Sequence, residues 1–451
     1  MRRILIFLLA LLVADLAQAQ VATIPAKDRT VVVISLDGFP AWLWADPTLP
    51  VPTLRKLAAE GAQVNTMKVS NPAVTWINHT TLVTGVEPAQ HGVLFNGLLV
   101  RQGPGQAPKI EPWAFKSRMV RVPTLYDVAH DAGLTSAQVD WVAVTNSGTI
   151  NWEFHEMPDP AGEIPSELVA DGVLTQSQLN NFAKDASITW RDMVWTKAAT
   201  HILKTRKPNL LLLHLLTTDS VNHRYGPGTL ASFTAYAYVD RLVAEVLESL
   251  NAAGLKDRTA VVVTTDHGFK EVTKLILPNI ALRQAGLVRA AGPPVTGADA
   301  YVMTQGGMAF VYVTDPARKL ELLPKLKTLL GGLEGVDRLL EPKDYAALGI
   351  PTPDMNDGAG ELLLYAKPGY AFQASTAGDN VVQDSVTYLG THGYQNNDPK
   401  IDGIFLAWGY GIRAGAKLDR ITNLDVAPTL AELLGVRLPN PAGRVLFEFL
   451  K

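Results

Sequence analysis

Unbroken apolar runs recur along the chain, and several of them end in an acidic residue. Residues 30–36 (TVVVISL), 210–216 (LLLLHLL) and 260–265 (AVVVTT) show no polar alternation. Such β-branched or leucine-rich runs predict strands buried on both faces. Further strands are predicted at 63–69 and 403–408. Between them apolar residues recur at helical spacing. Helices are predicted over 52–59, with Pro52 in the first turn and Gly61 as the stop, and over 78–83, 122–132, 188–203, 229–250 and 425–434. Alternating strands and helices predict an α/β fold, with a mostly parallel central sheet covered by helices on both faces.

The texture changes between residues 269 and 384. Strand patterns at 308–313 and 361–366 flank a helical stretch at 317–330, which Pro324 is expected to break or kink. This predicts a smaller inserted α/β cap subdomain at 269–384 between two parts of a core, 20–268 and 385–451. No internal repeat or low-complexity tract appears. Composition alters little: 451 residues can form one large α/β unit with an insertion, and 47% hydrophobic with 18% charged residues is ordinary for a globular chain.

Arg2 and Arg3, a short apolar run at 4–14 and the small-residue pattern Ala17-Gln18-Ala19 predict a signal peptide at 1–19, cleaved near Gln20. The expected location is periplasmic or secreted, with no transmembrane segment in the mature chain. The absence of Cys excludes disulfides and Cys-linked lipidation. A net charge of −3 provides no global basic field, so duplex nucleic acid is not an expected partner. An anionic small-molecule substrate has to be recognised locally.

Asp37, Asp219 and Asp266 each come at or just after the end of an apolar strand. In open α/β sheets that edge is where ligands bind. His223 lies four residues after Asp219, on one face if the segment is helical. His267 adjoins Asp266, and His392 arrives from far along the chain. Oxygen and imidazole ligands without thiolates suit Zn²⁺, with Mn²⁺ or Fe²⁺ as alternatives. Thr75 stands near a predicted helix N-terminus, where free N–H groups favour an anion. A threonine hydroxyl is a poor nucleophile until metal coordination lowers its pKa, and a second metal can hold the phosphoryl and leaving oxygens. Alone, Asp37 would suggest a turn and Thr75 a helix cap; the ordered set points to chemistry. His214, inside a buried strand pattern, is expected to be a hydrogen-bonded core histidine, and His79 and His91 to brace the site.

The motifs DGF at Asp37, TWINHTTLVTG after Val74, HGVLFN, D-x-x-x-H followed by RYGP, TDHG and THGY occur in this order over nearly the whole mature chain. Together they resemble the nucleotide pyrophosphatase/phosphodiesterases of the alkaline phosphatase superfamily. The resemblance implies an alkaline phosphatase-like fold and two zinc ions. Asp219, His223 and His392 would hold one. Asp37, Asp266 and His267 would hold the other, with Thr75 facing it as nucleophile and ligand. Asn96 and the Trp76 N–H would hold a phosphoryl oxygen. The implied course is a covalent phospho-threonine at Thr75, then hydrolysis by water on a metal. Where the family usually has Lys-Thr-Phe-Pro-Asn-His, this chain has Val74-Thr75-Trp76-Ile77-Asn78-His79. Trp76 is therefore a candidate substrate-binding residue, stacking on a base or lining a slot for a lipid or aryl group.

A sulfatase would need Cys or Ser in C/S-x-P-x-R; after Ser70 the Arg position holds Val74, which excludes it. No basic residue sits beside Thr75, which favours singly charged diesters over monoesters. The expected function is a two-metal phosphodiesterase or nucleotide pyrophosphatase. A phosphonate hydrolase or phosphomonoesterase of the same superfamily is the alternative, and a non-catalytic binding protein ranks last because no ligand is missing.

Overall fold

The computed structural model describes residues 24–182, 184, 187–290 and 294–451; the expected signal peptide at 1–19 lies outside the described residues. A sheet of eight strands runs in the order Ala416–Thr422, Ala62–Lys68, Phe405–Gly409, Thr259–Thr264, Thr30–Leu36, Leu210–Leu215, Ser136–Val139, Trp152–Phe154. Phe405–Gly409 is antiparallel to both neighbours, and every other pairing is parallel. Two reversals in succession restore the common direction, so the sheet is mostly parallel as expected.

The three apolar runs form the centre. Thr30–Leu36 lies between Leu210–Leu215 and Thr259–Thr264, in parallel register on both sides. Every residue of the three strands is buried. Leu211, Leu213 and Leu215 enter one core, with helices Pro52–Glu60, Ile188–Thr205 and Leu230–Ala252. Leu210 and Leu212 enter the opposite core, with helices Leu125–Asp131 and Val426–Leu434. Alternate side chains thus meet helices above and below, which is why these strands lack polar alternation. Because the strands are adjacent and parallel, the acids that follow them emerge at one edge.

Within 269–384, strands Ala300–Gln305, Met308–Val313, Leu362–Ala366 and Val336–Leu340 form an antiparallel sheet in that order. Helix Lys319–Gly331 continues through Pro324, correcting the expected break. The carbonyl that proline leaves without its helical donor is that of Leu320, a residue 93% exposed, so water can satisfy it. The core beneath this sheet is shared: Val69, Ala73, Tyr394 and Ile401 pack with Ile276, Val302, Val311 and Phe372. Strand Lys270–Ile276 also pairs with Gly390–Thr391, so the pairing extends beyond residue 384. Among the described residues, no helix is long and apolar enough to cross a membrane.

Candidate metal centre

Each expected ligand is delivered by a turn at the C-terminal edge of the central strands. Asp37 follows Thr30–Leu36 directly and is anchored by its N–H to the Leu215 carbonyl (2.9 Å). Gly38 then takes φ +66°, where a Cβ would lie 2.8 Å from the Phe269 ring, so only glycine suits this turn. Helix Thr217–Tyr225 carries Asp219 and His223 one turn apart, fulfilling the condition on that pair. Asp266 and His267 leave the end of Thr259–Thr264. At Gly268 a Cβ would meet the Lys400 carbonyl at 2.4 Å. Glycine there admits the close approach of 400–402, whose Ile401 carbonyl accepts the Gly268 N–H.

The three imidazoles share one arrangement. Nδ1 of His223 faces the Gly390 carbonyl (2.8 Å), that of His392 the Ala73 carbonyl (2.9 Å), and that of His267 the Gly268 carbonyl (3.2 Å). Carbonyls only accept, so each Nδ1 carries a proton and, in the neutral ring, Nε2 is left with a lone pair; against burial, the Asp219 carboxylate holds His223 above the usual imidazole range. Burial pushes His267 down to about 4 and His392 down to about 3, which keeps both rings neutral.

The lone pairs converge on carboxylate oxygens. His223 Nε2 is 3.3 Å and His392 Nε2 3.8 Å from Asp219 Oδ1. His267 Nε2 lies 3.1 Å from Asp266 Oδ2 and 3.4 Å from Asp37 Oδ1. All three of these carboxylate oxygens are buried without a hydrogen-bond donor. Asp266 Oδ1, in contrast, accepts from the Gly38 and His267 N–H groups and the Thr265 hydroxyl. Burial, with the Asp266 and Asp219 carboxylates alongside, pushes Asp37 well above the carboxylate range. Bare oxygens and bare nitrogens facing one another need cations between them. Potential ligand atoms of Asp219, His223 and His392 lie within 4.8 Å of one another, as do those of Asp37, Asp219 and His267. The side chains therefore fit two divalent cations. Asp219 stands in both groups; Asp266, expected in the second, stands in neither, although its Oδ2 is 3.1 Å from His267 Nε2.

Thr75 opens helix Thr75–Thr84, and its Oγ is 3.4 Å from His267 Nε2. The Trp76 N–H is 3.0 Å from Asn96 Oδ1, bringing both expected phosphoryl contacts beside the hydroxyl. The Trp76 ring differs from expectation. It is 6% exposed and packs with Val74, Ile77, Val93, Ala114 and Met119, so it serves as core. Trp113, 5.6 Å from it and 40% exposed, is the aromatic that reaches solvent. Ser70 donates to Asn423 and is a structural residue.

The partners of His214 escaped sequence reasoning. His214 is hydrogen-bonded as expected, but its acceptors are Asp37 and Asp140. Strand pairing sets His214 opposite Ser35, two residues before Asp37, a proximity that only the register reveals. His79 donates Nδ1–H to the Thr75 carbonyl (2.9 Å) and lies 3.7 Å from Asp266 Oδ2, bracing the two residues together as expected.

A family model described as type I phosphodiesterase / nucleotide pyrophosphatase matches residues 31–395. Ectonucleotide pyrophosphatase/phosphodiesterase family member 1 of Mus musculus is 23% identical over 422 residues, covering 91% of this chain and 41% of its own length. Family member 7 of Homo sapiens is 25% identical over 442 residues, covering 95% of this chain and 84% of its own. The chain thus spans less than half of the first relative and most of the second. Among solved structures, murine ectonucleotide pyrophosphatase/phosphodiesterase 5 superposes with a TM-score of 0.72 at 17% identity, covering 94% of this chain and 100% of that one. An inactive variant of the same murine protein in complex with AMP gives 0.71 at 16% identity, with the same coverage of both chains.

Proposed function

The chain belongs to the type I phosphodiesterase / nucleotide pyrophosphatase family, and on that premise we propose that it hydrolyses phosphodiester or pyrophosphate bonds through a phospho-threonine at Thr75. The observation that carries this reading is the set of three Nε2 lone pairs, each fixed by an Nδ1–carbonyl bond, aimed at donor-free carboxylate oxygens beside one hydroxyl. Asp219, His223 and His392 would hold one ion, and Asp37, Asp266 and His267 the other. Zinc suits these donors, with manganese or iron as substitutes. Such a pair of cations supplies positive charge that lowers the Thr75 pKa and offsets charge developing on the phosphoryl oxygens.

Thr75 Oγ forms the new P–O bond as the bond to the leaving oxygen breaks on the opposite side. The Asn96 amide N–H holds an equatorial oxygen, its own Oδ1 fixed by the Trp76 N–H. Water then cleaves the phospho-threonine and restores the hydroxyl. His79, through the Thr75 carbonyl, keeps the start of the helix in place during both halves. AMP in the murine relative supports a nucleotide-type substrate. Residues 1–19 act as an export signal, delivering the enzyme to the periplasm or medium.

The test is Thr75→Ala with metal analysis and a substrate panel. Turnover of a bis-aryl phosphate falls by at least a thousandfold while metal content stays within a fifth of wild type. Full activity in the variant removes Thr75 from the mechanism, and faster hydrolysis of a mono-aryl than a bis-aryl phosphate by wild type overturns the diester preference.

A further inference from the structure

We propose that His214 is a positioning residue that makes Asp37 a one-oxygen metal ligand; the inference rests on the reading of Asp37 as a ligand. His214 lies within the central strand Leu210–Leu215, with its side chain 1% exposed. Its Nε2 is 3.0 Å from Asp37 Oδ2. Its Nδ1 is 3.1 Å from the Asp140 main-chain oxygen and 3.2 Å from Asp140 Oδ2. Asp37 therefore has two unlike oxygens: Oδ2 faces a ring donor, whereas Oδ1 has none and lies 3.4 Å from His267 Nε2.

A carboxylate free at both oxygens can turn about its terminal torsion and bind through either or both. With Oδ2 occupied, the torsion is held and a single lone-pair set faces the ion. Outer hydrogen bonds of this kind orient metal ligands and tune their affinity. The far end of the ring is held as firmly. Asp140 adopts φ +58°, unusual for a non-glycine residue, and its N–H bonds the Phe154 carbonyl (2.8 Å). That conformation turns the carbonyl and the carboxylate of one residue toward the same imidazole nitrogen. A strained backbone persists where its surroundings over-determine it. The Asp140–His214–Asp37 chain runs across the sheet edge from the end of strand Ser136–Val139 to the end of strand Thr30–Leu36, linking three strands through one imidazole.

Two amide replacements separate orientation from packing. Glutamine reaches as far as Nε2 and retains a donor toward Asp37. Asparagine reaches only as far as Nδ1, keeping a contact with Asp140 while leaving Asp37 Oδ2 bare. Full-length wild type, His214→Gln and His214→Asn are stripped with a chelator and titrated with Zn²⁺ against a chromogenic competitor. Co²⁺ titrations record d–d absorption in parallel. In H214Q the weaker of the two ions binds within about threefold of wild type, with an unchanged cobalt spectrum. In H214N it binds about 10- to 100-fold more weakly, and the cobalt bands shift. Native affinity and spectrum in both variants, or equal loss in both, overturns the inference. If H214N does not fold, the donor-free His214→Met takes its place: a tenfold loss there with near-native H214Q supports the role, and equal affinity in the two refutes it. Wild type that takes up no ion overturns the metal reading along with this one, whereas two ions in wild type and native binding in H214N overturn this one alone.

Discussion

Acid should loosen the nucleophile's surroundings through His91, a buried ring outside the proposed ligand set. Its Nδ1 accepts the Val93 N–H (3.1 Å), so the proton sits on Nε2, which faces Thr81 Oγ (3.2 Å). Thr81 belongs to the helix that starts at Thr75, and Val93 leads into the turn carrying Asn96. Burial pushes the His91 imidazole down from 6.5 to about 3. The folded pKa lies below the unfolded one, so the unfolded chain binds a proton that the folded chain refuses. Stability is complete above pH 6.5 and declines as pH falls from there toward 3. The loss is RT ln(1 + 10^(6.5 − pH)), about 2 kcal/mol at pH 5 against roughly 0.2 kcal/mol at pH 7. His91→Gln retains a donor toward Thr81 and removes the titration. It also strands the Val93 N–H, costing about 1–3 kcal/mol at every pH. Urea unfolding of metal-stripped protein at pH 7 and pH 5 reads both effects. Wild type should lose about 2 kcal/mol more than H91Q between the two conditions. Equal losses would show that His91 is not held neutral by the fold.

Trp76→Ala should lower unfolding free energy by about 3–5 kcal/mol, seen as a lower thermal midpoint; an unchanged midpoint with weakened substrate binding would restore the tryptophan as a substrate platform. Asn96→Ala should reduce kcat about a hundredfold with metal content intact, and steady-state kinetics with metal analysis would expose any loss acting through the ions instead. Asp219→Asn, altering a proposed ligand of the first ion, should leave one bound ion or fewer per chain by elemental analysis; two retained ions would remove Asp219 from the ligand set.

The central strands were legible because burial on both faces demands continuous apolar sequence, and the acids at their ends followed from that. Strands toward the two ends of the sheet were not. Ser136–Val139 reads SAQV and Ala416–Thr422 reads AKLDRIT, too polar or too short to stand out, and pairing rather than composition makes them strands. The ligand residues could be picked out because their types are unusual at strand ends, but the carbonyls that orient the imidazoles carry no sequence signal. Gly390, Ala73 and Gly268 contribute only backbone oxygens. Trp76 misled for a related reason: adjacency to Thr75 along the chain set its N–H at the site while helix geometry turned its ring into the cluster around Ile77.

The bond from His392 to the Ala73 carbonyl spans 319 positions of sequence. A chain still emerging from the ribosome has Thr75 and the early carboxylates long before it has that imidazole. Products that stop before residue 392 therefore lack a proposed ligand and the anchor of the segment ahead of Thr75. Under the proposed mechanism, hydrolytic competence has to wait until residue 392 has been made.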